Sequence, residues 1–241
     1  GRPRCAPLQH PAFVFIYSVG HEPPAARGEI DALRAWWLLR LRHTERPLAA
    51  RLGVMWHNHF ATSHVKVRDA RLMYAQLRTI ERLALGPFAT LLLAMSRDPA
   101  MIVWLDGAEN VNGRPNENYA RELLELHTLG AENYFGVVPL QIGSDGSFQH
   151  PAPKDENGRP LLYVDADVYG ATTCFTGWRV DSDTGQFAFD AGAHFPYQKL
   201  VLGQAIPDSQ GIQDGYDVLR LLANHPGTAR HIARKLCRRL I

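Results

Sequence analysis

From Glu29 to Asp106 the chain repeats one pattern, a run with apolar residues at helical spacing followed by a break built from proline, glycine or a capping acid. Glu29 to about His43 reads as one helix, and Arg46 to Ala61 as a second, with Pro47 placed as its first helical residue. Asp69 to Leu85 gives a third, closed by Gly86-Pro87, and Phe88 to Met95 a fourth. Ser96-Arg97-Asp98-Pro99 then restarts a short helix that ends near Asp106-Gly107. A chain punctuated in this way has to bury its apolar stripes helix against helix. Asn112-Gly113-Arg114-Pro115 is a turn feeding the helix-length segment Asn116 to Gly130. Val168 to Thr176 is a further helical stretch, Trp178–Val180 with Gln186–Phe189 reads as a small hairpin, and Gln213–Ala223 and Thr228–Ile241 are two closing helices. The expected class is therefore mainly α, a multi-helix globular domain with a small β-hairpin element. We expect a single helical domain over residues 1–241, with 131–165 as an irregular surface insert, since Gly, Pro, Asp and Ser there sustain no period.

Composition narrows the class of function more than its identity. At 241 residues the chain is long enough to bury roughly 70–75% of its extended surface without staples. A formal charge of +2 gives no global drive toward nucleic acid, and no apolar run reaches the length of a membrane helix. Cys5, Cys174 and Cys237 are odd in number and widely spaced, which indicates neither a disulfide framework nor a zinc knuckle. The chain begins Gly1-Arg2-Pro3-Arg4 with no signal-type apolar core and stops at Ile241 inside an amphipathic pattern, so a fragment of a longer protein is expected.

Two polar clusters interrupt the apolar pattern. In the segment Asn116 to Gly130, Glu117, Arg121 and Glu125 follow one another at i,i+4, an arrangement that pairs each acid with the arginine for about 0.2–0.5 kcal/mol. Glu122 is then left without a cation, and His127 is left on the apolar face. In Trp56-His57-Asn58-His59-Phe60, His59 projects with Leu52, Met55 and Trp56 while His57 points to the flank, so the two rings cannot chelate one ion together. If the two helices pack, His59 and His127 meet, with Glu122 or Asn58 near the rim. A buried imidazole needs a partner, whether carboxylate, carbonyl or metal. The bland reading is core histidines satisfied by neighbours, and the sharper one is a metal or acid–base site. A di-iron bundle is disfavoured, because Glu125-Leu126-His127 has the wrong spacing. No His-Glu-x-x-His, P-loop, G-x-G-x-x-G or G-x-S-x-G occurs, and Asp165-x-Asp167 and Asp181-x-Asp183 do not continue as calcium loops. The last helix divides into an apolar side and a basic side, Arg230, Arg234, Lys235, Arg238 and Arg239, which reads first as a solvated face. His194 and Lys199 near Gly203 form a weaker polar group.

Trp56 to Ser63, Pro115 to Leu123, Thr176-Gly177-Trp178 and Ala233-Arg234-Lys235-Leu236-Cys237 together resemble the bacterial family called domain of unknown function 1800, in order, from about Leu33 to Ile241. The resemblance implies a predominantly helical member of an often exported family, hence a periplasmic or cell-surface setting. It also implies a neighbouring exported partner of sulfatase-like or phosphatase-like type. It names no reaction. At His127 that family commonly carries an aromatic residue such as Phe.

The leading expectation is an exported helical enzyme, hydrolytic and metal-assisted, in which His57 or His59 serves as ligand or base. Glu122 serves as ligand or general acid–base, Asn118 completes the site and Arg121 orients an anion. A divalent metal would then be held by one of the two rings, His57 or His59, together with Glu122. The competing expectation is a non-catalytic scaffold or binding module, in which the same residues form a buried network and work with an exported partner.

Overall fold

Several helices begin where the sequence supplies a proline or a capping oxygen. The structure, a computed structural model, describes residues 30–142, 144 and 148–240. The Pro-rich lead, Cys5 and Ile241 lie outside them. Helix α1 spans Ile30–Arg42 and α2 spans Pro47–His59, with proline at its start. The short α3, His64–Val67, is capped by the Ser63 hydroxyl, and α4, Ala70–Leu83, by Asp69, whose carboxylate accepts from Arg71 N at 2.8 Å. Helix α5 is Phe88–Ser96. Helix α6, Pro99–Trp104, combines Pro99 with an Asp98 cap that accepts from Met101 N at 3.0 Å.

Helix α7, Asn118–Glu122, does not continue as an α-helix. From Leu123 to Thr128 the winding widens to a π turn, with the Thr128 hydroxyl closing on Leu123 O at 2.6 Å and Gly130 N on Leu124 O at 3.1 Å. This explains two departures from the helical projection. Arg121 pairs with Glu117 and Asp165 rather than Glu125, and Leu126, projected onto the apolar face, is 44% exposed. The chain then passes through α8, Asp165–Cys174, α9, Gln213–Ala223, and α10, Pro226–Leu240.

Extended structure is more dispersed than one hairpin. Tyr134–Gly136 (β1) pairs in parallel with Tyr163–Val164 (β4), and Gln141–Ile142 (β2) with Phe148–Gln149 (β3). The expected hairpin is present as Trp178–Val180 (β5) against Phe187–Phe189 (β6), in the register Trp178 to Phe189, and Lys199–Val201 (β7) turns back onto Gln204–Ile206 (β8). The mainly α class with a single small hairpin is thereby corrected. Of the described residues 56% are helical and 12% extended, in four separate two-stranded sheets. Strands of two or three residues fall below the length at which alternation can be read. Within 131–165, His150, Ala152, Tyr163 and Val164 are buried.

One large apolar core runs from Leu52 and Trp56 on α2 and Phe60 just after it, through Leu91, Leu92 and Met95 on α5 to Leu123 and Leu124, then to Phe175, Trp178 and Leu222. A smaller cluster, built on Leu33, Val67, Met73, Leu77 and Ala100, holds α1 against α4. Cys174 is buried and Cys237 exposed, both as free thiols. Among the described residues no helix is long and apolar enough to cross a membrane. Helix α8 lies so close to β7 that a Cβ on Gly170 would overlap Leu200 O. Gly170→Ala is expected to cost about 2–3 kcal/mol through overpacking, which urea denaturation will read as a lower midpoint with an unchanged slope.

Candidate functional site

The end of the π turn is where the polar sequence motifs meet. Widening the helix leaves the carbonyls of Leu126 and His127 free to accept from side chains. The His59 Nε2–H donates to His127 O at 3.0 Å. From α10, Lys235 Nζ donates to Leu126 O at 3.2 Å and to His59 Nδ1 at 2.9 Å. His231, one turn earlier on α10, directs Nε2 at Leu126 O at 3.3 Å and Nδ1 at Glu132 at 3.4 Å, while Arg234 holds Glu132 at 2.7 Å.

These partners fix the chemistry of His59. With Nε2 donating to a carbonyl and Nδ1 accepting from an amine, the ring is the neutral Nε2–H tautomer, as assigned from its bonding. Burial holds its pKa well below the usual 6.5, and the Lys235 charge adds to the effect. His127 sits against Phe60, ring centroids 5.1 Å apart, and burial pushes it down to about 3. Its ring lies 5.9 Å from that of His59, so the two histidines do meet. The Lys235 ammonium is lowered by burial, with Glu132 opposing.

The rest of the Trp56 motif is engaged in the same way. Trp56 Nε1 donates to Ala84 O at 2.9 Å. The Thr62 hydroxyl donates to Gln76, which donates to Asp98 at 2.7 Å. Burial raises the Asp98 carboxyl to about 6, against the bonds from Met101 N and Gln76. The His57 ring packs at a tilt against Trp37, centroids 4.9 Å apart, and Asn58 is exposed.

In the second motif, Asn116 accepts from Asn118 N at 3.0 Å, and Asn118 Nδ2 donates to Leu105 O at 3.2 Å. Arg121 bridges Glu117 at 3.0 Å and Asp165 at 3.1 Å. Glu122 is half-buried and raised by burial and then by Glu125, with no hydrogen bond or ion pair to another described residue. Of the sequence-derived candidates, His59 enters the junction, whereas His57, Asn118, Arg121 and Glu122 are each engaged or placed elsewhere. Among the described residues, no three His, Cys, Asp or Glu side chains gather closely enough to hold a metal ion.

Two buried groups lie outside that candidate set. His194 Nδ1 donates to Thr176 O at 2.8 Å and Nε2 faces Asp214 at 3.0 Å, while Lys199 pairs with the same carboxylate. His150 Nε2 donates to Asp167 at 2.8 Å, and Asp167 also accepts from Val164 N and Leu202 N. A faint sequence signal marked both acids. Asp214 shares a helical stripe with Val218 and Leu222, and Asp167 with Ala171 and Cys174.

A family model described as a protein of unknown function, DUF1800, matches residues 13–241. No curated protein and no solved structure matches the chain.

His127 packs as an aromatic ring, so His127→Phe is expected to keep stability within about 1 kcal/mol at pH 7. His59 and His127 have pKa values lower in the fold than in the unfolded chain, where 6.5 is usual. Their contribution is complete above about pH 6.5 and is lost as pH falls toward the folded values, by up to about 1.4 kcal/mol per pH unit for each ring. Denaturation midpoints at pH 7 and pH 5 should show this loss, with a shallower fall in His127→Phe.

Proposed function

This chain belongs to the DUF1800 family, and we propose that it acts as a non-catalytic scaffold or binding module whose polar motifs hold helix junctions together. One observation carries the proposal: the ring of His59 is engaged at both nitrogens by protein groups, His127 O and Lys235 Nζ. A histidine so placed has no lone pair to offer a metal and no free site to take a proton from substrate. The same economy extends to His150 and His225, each donating from Nε2 and accepting at Nδ1. Fully partnered buried networks rigidify a core and specify one packing, which is what a surface-presenting module requires.

An exported setting and a sulfatase-like or phosphatase-like partner complete the proposal. The family resemblance supports both, and neither rests on a contact in the fold. A metal-assisted hydrolase would instead need His57 or His59 facing Glu122 with a free ring nitrogen.

Elemental analysis and thermal melting separate these readings. The scaffold reading predicts sub-stoichiometric metal in the intact protein and no change in melting temperature with a chelator. It predicts a loss of about 2–4 kcal/mol in His59→Ala, which strands two hydrogen-bonding groups. One equivalent of zinc or manganese that disappears in both His59→Ala and Glu122→Ala would overturn it. Titration of the chain against a purified sulfatase-like or phosphatase-like protein by calorimetry tests the partner, and no heat of binding would remove that part of the proposal.

A further inference from the structure

The chain carries four lysines, and one of them has surroundings unlike the others. Lys66 Nζ lies 2.7 Å from the Asp106 carboxylate, Lys199 pairs with Asp214, and Lys154 is exposed. Lys235 is half-buried on α10, and its nitrogen meets two neutral acceptors instead, His59 Nδ1 at 2.9 Å and Leu126 O at 3.2 Å. Glu132 is taken up by Arg234 at 2.7 Å and by His231 Nδ1 at 3.4 Å. Among the described residues no carboxylate forms an ion pair with Lys235.

That setting favours the free amine over the ammonium. The two acceptors match the two N–H groups of a neutral amine, and an ammonium would carry a third proton for which no protein acceptor is present among the described residues. The neutral amine keeps a lone pair in its place. His59 from α2, His127 from the π turn and His231, Arg234, Arg238 and Arg239 from α10 supply no negative charge to hold the ammonium. Burial lowers the Lys235 pKa from its usual 10.5, with Glu132 opposing. Arg238 and Arg239, three and four residues on, are its helical neighbours toward solvent, and neither pairs with a carboxylate among the described residues. An electrophile carrying an anionic leaving group would therefore be drawn to this end of α10.

We propose that Lys235 is an acylation site, its amine taking the acyl group of a small acyl phosphate. The Nζ lone pair attacks the carbonyl carbon, the bond from that carbon to the phosphate oxygen breaks, and the phosphate leaves with the electron pair. The amine gives up one proton, which passes to the leaving phosphate or to solvent. The products are an amide and inorganic phosphate, with no change of oxidation state. The amide keeps one N–H where the amine had two, so acylation removes one of the bonds to His59 and Leu126 and weakens the tie between α10 and the π turn. The inference goes beyond the scaffold reading, because it uses the geometry of the junction and needs neither a metal nor a partner protein.

The test exposes the intact, folded protein to acetyl phosphate and follows acetylation of each lysine with time by peptide mass spectrometry. Lys235 is expected to react about threefold or more faster than the exposed Lys154. Its rate is expected to level off at a lower pH than that of Lys154, because its amine is freed under less alkaline conditions. Replacing both arginines, Arg238→Gln with Arg239→Gln, is expected to slow Lys235 about twofold toward acetyl phosphate and to leave its rate toward a neutral acyl ester unchanged. Acetylated wild type is expected to melt at a lower temperature, a fall absent from Lys235→Arg. Lys235 reacting no faster than Lys154, or only in urea, would overturn the proposal. Equal slowing toward both acyl donors would overturn the choice of an acyl phosphate, and an equal fall in melting temperature in Lys235→Arg would overturn the link to the junction.

Discussion

The fold turns on a change of winding in one helix. If Asn118 to Gly130 stayed α-helical, the carbonyls of Leu126 and His127 would be placed by an i→i+4 ladder. With the π turn they are offered to other elements, and His59, His231 and Lys235 accept the offer from α2 and α10. Three segments far apart in sequence are fixed at one point, and the apolar faces of Trp56, Phe60, Leu123 and Ile232 pack around it. Apolar packing supplies most of the stabilisation, and the hydrogen bonds select which packing is adopted.

The same device recurs elsewhere in the molecule with different residues. His150 and Asp167 tie the segment before β4 to the start of α8, and Asp167 reaches Leu202 N beyond β7. Lys199, His194 and Asp214 tie β7 and the loop before it to α9. Each group places a charge or a ring where water is excluded, so losing one partner strands the others. These joints are weaker evidence for stability than for a single arrangement of short strands that could not hold a register alone.

How much of this was legible in the sequence depended on period and length. Helices α1, α2, α4, α5, α6 and α9 follow from apolar spacing and from Pro47, Asp69 and Pro99, and the β5–β6 hairpin from alternation around Asp181 to Gly185. The meeting of His59 and His127 was legible because each broke an apolar stripe. The π turn was not, since nothing in Leu123 to Thr128 departs from an α pattern, and projection at a fixed angle therefore misplaced Leu126 and paired Glu125 with Arg121. Strands of two or three residues left no alternation to read. Lys235 read as part of a solvated basic face, because its partners, His59 and Leu126 O, are supplied by elements more than 100 residues away.

His59 and Lys235 act as one structural joint at the end of the π turn. A double-mutant cycle of His59→Ala and Lys235→Met, read by urea denaturation at pH 7, measures their coupling directly. A coupling of about 1 kcal/mol or more is expected, the double variant losing less than the sum of the single ones. Losses that add within about 0.5 kcal/mol would contradict it, since the two side chains would then contribute independently and the junction would not be the joint described.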